Sequence, residues 1–197
     1  MSIVRWSVLP LPAILLLFAA APTAAQDSPS GWYFEGFWGN YESGIDGLDE
    51  EDPAGLRLGF RRQKKLGYEL SFAKLEGQIK GFADTDLGSI DIDWEADAWD
   101  LSVTFHPILR GGLQFLVLGG PGYATVNARA IAEVSEGTSI RLESLSEDSF
   151  TAHGGLAFKI FLTETFYLRL DGRGRWYEAR EDDNFDVEYT LAIGANW

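Results

Sequence analysis

From Gly31 to the end of the chain, apolar and polar residues alternate with a period of two in a succession of segments bounded by Gly, Pro, Asp or Ser clusters. Each is roughly ten residues long, the pattern of a half-exposed strand. Eight strands are predicted: Gly31 to Tyr41, Gly55 to Arg62, Leu66 to Lys74, Ala98 to Phe105, Leu113 to Tyr123, Phe150 to Phe161, Thr165 to Tyr177, and Val187 to Trp197. The fourth is expected to stop at His106-Pro107, because the residue before proline is pushed out of regular pairing. The fifth, LQFLVLGGPGY, is nearly all apolar or Gly, so its two faces cannot be separated by pattern. No window carries an i, i+3, i+4 apolar stripe that competes with this alternation. The fold expected is all-β, an eight-stranded antiparallel up-and-down barrel, since closure removes the exposed edges that a flat sheet would leave.

Alternation alone leaves open whether the apolar faces line the inside, as in a soluble cup, or the outside, as in a membrane barrel. Three features favour the outside. Long connectors (Glu42 to Pro53, Leu75 to Asp97, Thr125 to Ser149, and a moderate one at Glu178 to Asp186) alternate with short ones (Gln63 to Lys65, His106 to Gly112, Leu162 to Glu164), as in outer-membrane barrels. With the last extended to Glu188, the four longer connectors hold 24 of the 30 acidic residues, and the short turns carry Lys64, Lys65 and Arg110. Trp and Tyr cluster near strand ends, where the two interfaces of a bilayer place aromatic girdles.

With apolar side chains outward, the ionic face of each strand turns inward. That face carries Glu35, Arg57, Arg61, Glu69, Asp100, Lys159, Arg169, Asp171, Arg173 and Arg175. On the lipid face a Lys or Arg would cost about 2–4 kcal/mol at the midplane, and strand seven alone carries Arg169, Asp171, Arg173 and Arg175 in alternation. An eight-stranded barrel is just wide enough for side chains to fill, so the expected outcome is a packed polar plug rather than a gated ion path.

Composition narrows the choices further. The net charge of −14 argues against nucleic-acid binding, which needs a basic stripe to displace counterions from phosphates. The absence of cysteine excludes disulfide scaffolds, thiolate metal sites and cysteine nucleophiles. At the N-terminus, Arg5 is followed by the unbroken apolar run Ala13 to Ala21 and then by Thr23 and Ala25. The run is too short for a spanning helix and has the layout of a secretory signal peptide, residues 1–25, so the barrel domain is expected at 26–197.

Several stretches together resemble the small eight-stranded outer-membrane barrels of Gram-negative bacteria, the OmpA/OmpX/Opa-like group. They are GWYFEGFWG at Gly31 to Gly39, ELSFAK at Glu69 to Lys74, LGGPGY at Leu118 to Tyr123, and HGGLAFKIFLTETFYLRLDGRGRWY at His153 to Tyr177. Each motif is loose, but together they cover nearly the whole expected domain. The resemblance implies that the last strand, with Tyr189, Leu191, Ile193, Ala195 and Trp197 at alternate positions, serves as the signal read by the barrel-insertion machinery. Such chains more often end in Phe than in Trp. No peptidoglycan-binding domain follows, unlike the two-domain members, so cell-wall anchoring is not among the expected roles.

Catalytic and metal chemistry find little support. His106 and His153 are the only histidines, too few for a zinc site, and both read as structural, His106 in a turn and His153 on the inward face of strand six. Ser149 and Thr151 lie near His153 in sequence, but the run SFTAHGG does not resemble the His-x-Ser-Asn pattern of the barrel lipid A deacylases. Asp49, Glu50, Glu51 and Asp52, and Asp84, Asp86, Asp91, Asp93, Glu95 and Asp97, crowd two of the long connectors, yet follow no EF-hand spacing. They read as a solvated acidic surface, with divalent cations shared with lipopolysaccharide as the sharper alternative.

The expectation is therefore a non-enzymatic outer-membrane barrel acting in envelope integrity or surface contact, without cofactor or metal. Its expected partners are membrane lipid, lipopolysaccharide and the insertion machinery, and the barrel is expected to be a monomer. A lipid-modifying barrel enzyme and a soluble lipocalin-like binder of an apolar ligand are the alternatives.

Overall fold

The computed structural model describes residues 31–42, 52–62, 65–85, 88–110, 112–134, 138–178 and 185–197. The expected signal peptide, together with Asp49, Glu50, Glu51 and Asp86, lies outside the described residues. Eight strands follow one another: β1 (Gly31–Glu42), β2 (Ala54–Arg61), β3 (Leu66–Thr85), β4 (Gly88–Arg110), β5 (Leu113–Val134), β6 (Thr138–Phe161), β7 (Phe166–Tyr177) and β8 (Phe185–Asn196). Each pairs antiparallel with the next, and β1 pairs with β8 to close the barrel.

The period of two sorts side chains by face as it must in a closed sheet. Trp32, Phe34, Trp38, Leu58, Leu70, Trp99, Leu101, Val103, Phe158, Leu170 and Ile193 are exposed on the outer wall. Their neighbours in sequence are buried in the lumen. Aromatic pairs gather at both ends of this apolar belt. Trp32 with Phe60 and Phe115 with Phe158 stand toward the end that carries Gly31 and Trp197, while Phe72 with Trp99, Tyr123 with Phe150 and Trp176 with Phe185 stand toward the other. A belt of apolar surface between two aromatic rings is the geometry of a membrane-spanning barrel.

Inside, bulky rings fit because glycine faces them. Tyr33 lies directly opposite Gly59, where a Cβ would come within 1.9 Å of the Tyr33 ring, and Tyr167 lies opposite Gly194, where the distance would be 2.4 Å. At the β4–β5 turn, Gly112 has φ of 74°, a left-handed conformation that costs glycine nothing.

Three sequence expectations are corrected by the structure. The connectors expected at Leu75 to Asp97 and Thr125 to Ser149 are mostly strand. Pairing of β3 with β4 runs to Thr85 and Gly88, β4 with β5 to Gly88 and Val134, and β5 with β6 to Val134 and Thr138. Ile90, Ile92, Trp94 and Ala96 do alternate with Asp91, Asp93, Glu95 and Asp97, but in the opposite phase to Trp99, Leu101 and Val103, so the pattern of the barrel section breaks at Ala98 and does not carry into this run. Strand four, second, does not stop at His106-Pro107. Phe105 pairs with Val117 and Ile108 with Phe115, so His106 and Pro107 together stand opposite Leu116 in a bulge, which accommodates a residue without an N–H. Third, His106 is not in a turn but buried in the lumen. The faces of β5 are also resolved: Gln114, Leu116, Leu118 and Ala124 point inward, and Val117 and Tyr123 outward.

The lengths of β3 to β6 give the molecule a second feature. β2 accompanies β3 only as far as Lys74, and β7 accompanies β6 only from Thr151 onward. Beyond these rungs β3, β4, β5 and β6 continue as a four-stranded antiparallel blade. Along residues 75–85 of β3 it extends roughly 35 Å at the usual rise per residue. Among the described residues, no strand pairs with its two outer edges, residues 75–85 and 138–150.

Candidate functional site

The lumen gathers the charged faces of every strand except β5. Buried acids Glu35, Glu69, Asp100, Asp171, Asp186 and Glu188 stand against buried bases Arg57, Arg61, Lys159, Arg169, Arg173 and Arg175, six of each among the described residues. All ten residues expected in an interior network are buried in the lumen. The structure adds Asp186, at the end of the connector expected from Glu178, and Glu188, which lies on the non-apolar face of the expected last strand.

Arg169 of β7 is the hub. Its guanidinium donates to Glu35 Oε2 at 3.0 Å and to Asp171 Oδ1 at 2.8 Å, and also to Glu69. Arg57 donates to Asp171 Oδ2 and Thr190 Oγ1, both at 2.9 Å, and its guanidinium lies 3.9 Å from the centre of the Phe37 ring. Arg173 reaches Glu69 Oε1 at 2.9 Å. These three acids thus each meet at least two bases, a pattern that offsets desolvation better than isolated pairs do.

Two tyrosines extend the network toward the terminal end of the barrel. Tyr33 donates to Glu69 Oε2 at 2.8 Å and Tyr167 donates to Glu35 Oε1 at 2.7 Å. Lys159 Nζ lies 2.7 Å from the same Glu35 oxygen and 3.6 Å from the centre of the Tyr33 ring. Parity places both tyrosines on the inward face, and the register then identifies the glycines opposite them; their hydroxyl partners depend on the curvature of the wall.

Toward the blade, Arg175 grips Asp100 with two parallel hydrogen bonds of 2.8 and 2.7 Å. Asp100 Oδ1 also lies 3.5 Å from His153 Nδ1, and His153 Nε2 is 2.8 Å from Ser102 Oγ. The order acid, imidazole, hydroxyl is that of a nucleophile relay, but Ser102 is wholly buried and Asp100 is already committed to Arg175. Ser149 and Thr151, the hydroxyls near His153 in sequence, do not hydrogen-bond to its ring, whereas Ser102 comes from a different strand.

Above this layer the lumen becomes apolar. Phe37, Tyr41, Ala73, Leu75, Ala96, Ala98, Ala124 and Ala192 form one buried cluster, against which Trp94, Val126 and Tyr177 pack. Tyr41 hydrogen-bonds Tyr177 at 2.7 Å and donates to Asp186. The closed section therefore has two layers of opposite character, ionic in the middle and aromatic-aliphatic at the base of the blade.

Asp93, Glu95 and Asp97 lie on β4 rather than in a loop; Gln78 Nε2 donates to Asp93 at 2.7 Å, and Lys74 approaches Glu95 at 3.7 Å. Lys74 also hydrogen-bonds Glu76 at 2.8 Å, which holds that carboxyl below the ordinary range. Among the described residues no group of three or more His, Asp or Glu converges on a metal position. On β8, Tyr189, Ile193 and Trp197 are exposed on the outer wall, with Leu191 and Ala195 half-buried on the same face.

Solved structures share this architecture. A major outer membrane protein from Thermus thermophilus aligns with a TM-score of 0.59 at 11% identity, covering 85% of this chain and 99% of the other. The outer membrane protein OprG from Pseudomonas aeruginosa aligns with a TM-score of 0.57 at 17% identity, covering 86% and 96%. The N-terminal β-barrel domain of Pseudomonas aeruginosa OprF gives 0.51 at 16%, covering 86% and 98%. At these identities the likeness is one of fold. No curated protein sequence matches the chain. The model of the family described as outer membrane protein beta-barrel domain matches residues 11–197, and the chain belongs to that family, as a barrel of the bacterial outer membrane.

Proposed function

We infer that this protein is a non-enzymatic surface-contact barrel, whose lumen is plugged and whose β3–β6 blade stands outside the cell. One observation carries the reading: four strands continue in register well past the last rungs supplied by β2 and β7. A barrel serving only to occupy the membrane has no use for strands of 20 to 24 residues when 9–11 suffice to cross it. In this orientation the chain termini and short turns lie in the periplasm, and the end rich in acid faces outward. Outer-membrane lipid and lipopolysaccharide surround the barrel, the alternating face of β8 is read by the insertion machinery, and the barrel is a monomer.

The plug reading is supported by the equal numbers of buried acids and bases and by the apolar layer over them. The reading without catalysis is supported by the burial of Ser102, which leaves the acid–imidazole–hydroxyl relay without access to a substrate. The two arms are tested separately. Replacing residues 76–96 and 126–148 by short turns is expected to leave a barrel whose gel mobility still changes on boiling, while cells lose adhesion to surfaces that the intact protein supports. Unchanged adhesion by the bladeless barrel would overturn the contact role. In planar bilayers the intact barrel is expected to pass no steady current, and stable channels would overturn the plug.

A further inference from the structure

At the end that carries the chain termini, the lumen opens into a polar vestibule the network does not fill. It has a volume of about 440 Å³. Arg61 of β2, His106 of β4, Gln114 of β5 and Lys159 of β6 line it, and all four are nine-tenths or more buried. Glu164, the acidic side chain among the lining residues, is exposed at the rim, together with Trp197. Charge is thus stratified, with hydrogen-bond donors deep and the carboxylate outermost.

His106 is in this place because of a local irregularity. The His106–Pro107 bulge places two residues of β4 opposite one of β5, and bulges are a common means of re-aiming a side chain. The imidazole Nε2 lies 3.3 Å from Thr104 Oγ1, while Nδ1 is buried without a hydrogen-bond partner. A buried ring nitrogen left unpaired has a free-energy cost that a merely structural histidine ordinarily avoids. Lys159 gives one N–H to Glu35 and another to the Tyr167 hydroxyl at 3.1 Å, which leaves one for the vestibule that it lines.

We propose that this vestibule is a binding site for a phosphate group, held by the guanidinium of Arg61 and the Lys159 ammonium with Gln114 and His106 as additional donors. The donor set decides the chemistry. Arg61 carries five N–H bonds, more than one partner uses, Lys159 has the one that Glu35 and Tyr167 leave, Gln114 two and His106 one, more than a two-oxygen carboxylate can satisfy and well matched to a tetrahedral oxyanion. The phosphate can belong to a free solute or to a lipid headgroup. The assignment is independent of the surface-contact reading, which enters only in making the vestibule periplasmic.

The test uses the full chain in maltoside micelles in Tris chloride, free of phosphate-bearing detergent, with the His ring resonances as probe. One arm titrates inorganic phosphate at constant ionic strength. The other adds a short-chain phosphatidylglycerol, with a short-chain diacylglycerol as its phosphate-free match. Saturable shifts of the His106 ring are expected in at least one arm: in the first alone for a free solute, in the second alone for a headgroup, in both where the vestibule reads only the phosphate. Loss of one charge-assisted bond in Arg61→Gln is expected to weaken binding about tenfold or more. Gln114→Glu, which sets a carboxylate among the donors, is expected to abolish it; retained heat-dependent gel mobility certifies that each variant is folded. No saturable shift in either arm, or binding unchanged in folded Arg61→Gln or folded Gln114→Glu, overturns the proposal.

Discussion

Arg175 on β7 and Asp100 on β4 face each other across the lumen through two parallel hydrogen bonds of 2.8 and 2.7 Å, although their strands are not neighbours in the sheet. The pair is a strut across the barrel. Arg175→Met strands the Asp100 carboxylate in a buried site and is expected to destabilise the barrel by about 3–5 kcal/mol. Combining it with Asp100→Leu is expected to recover most of that loss, because neither charge then remains to be desolvated. Urea unfolding followed by tryptophan fluorescence reads both; a double variant no more stable than the single one would show that shape, not charge, holds the layer.

Tyr33 and Gly59 form a matched pair of large and absent side chains on adjacent strands. Gly59→Ala places a methyl group against the Tyr33 ring and is expected to cost about 1–3 kcal/mol by overpacking. In a Tyr33→Ala background the same substitution is expected to cost almost nothing further, a strong departure from additivity. A double-mutant cycle on refolded protein measures the coupling, and additive costs would mean the ring moves aside freely.

The edge of the bilayer can be located by charge. Leu101 lies within the apolar belt at 55% exposure, and Leu145 lies on the blade at 72%. Leu101→Arg is expected to lower stability by about 2–4 kcal/mol in lipid vesicles. Leu145→Arg is expected to stay within about 0.5 kcal/mol of the parent, as an ordinary surface change does. Equal costs at both sites would place the blade in the membrane and refute its exposure.

The outward face of β8 makes a kinetic prediction. Trp197→Ala removes an exposed terminal ring that makes little packing inside the lumen. Spontaneous refolding into detergent is expected to be nearly unchanged, whereas insertion assisted by the reconstituted barrel-insertion machinery is expected to slow. Equal slowing in both assays would make Trp197 a packing residue rather than a recognition signal.

The barrel strands were readable from residues alone because hydrocarbon outside and ions inside force a strict two-residue period. Trp99, Leu101 and Val103 alternating with Asp100, Ser102 and Thr104 have one arrangement that keeps charge out of lipid. The same logic named the interior residues from Glu35 to Arg175. It fell short where the two-sided constraint lapses. Residues 75–85 and 138–148 are strands whose apolar positions do not keep the phase of the barrel section, and β5, apolar on both sides, hid Leu116 and Leu118 among outward residues of the same kind. His106 was misplaced because a proline after it signals a stop in sequence, while a neighbouring strand can absorb the extra residue as a bulge.

What a single chain of letters determined, then, is which side of each barrel strand other than β5 meets lipid, since that follows from local alternation and the cost of burying charge. Which acid meets which base was decided only by closing the sheet. Arg169 reaches Glu35 of β1 and Glu69 of β3 because the register and curvature of the wall bring them to one point, and no spacing along the chain encodes that meeting; Asp171, two residues on along β7, is the one partner that local alternation already sets beside it.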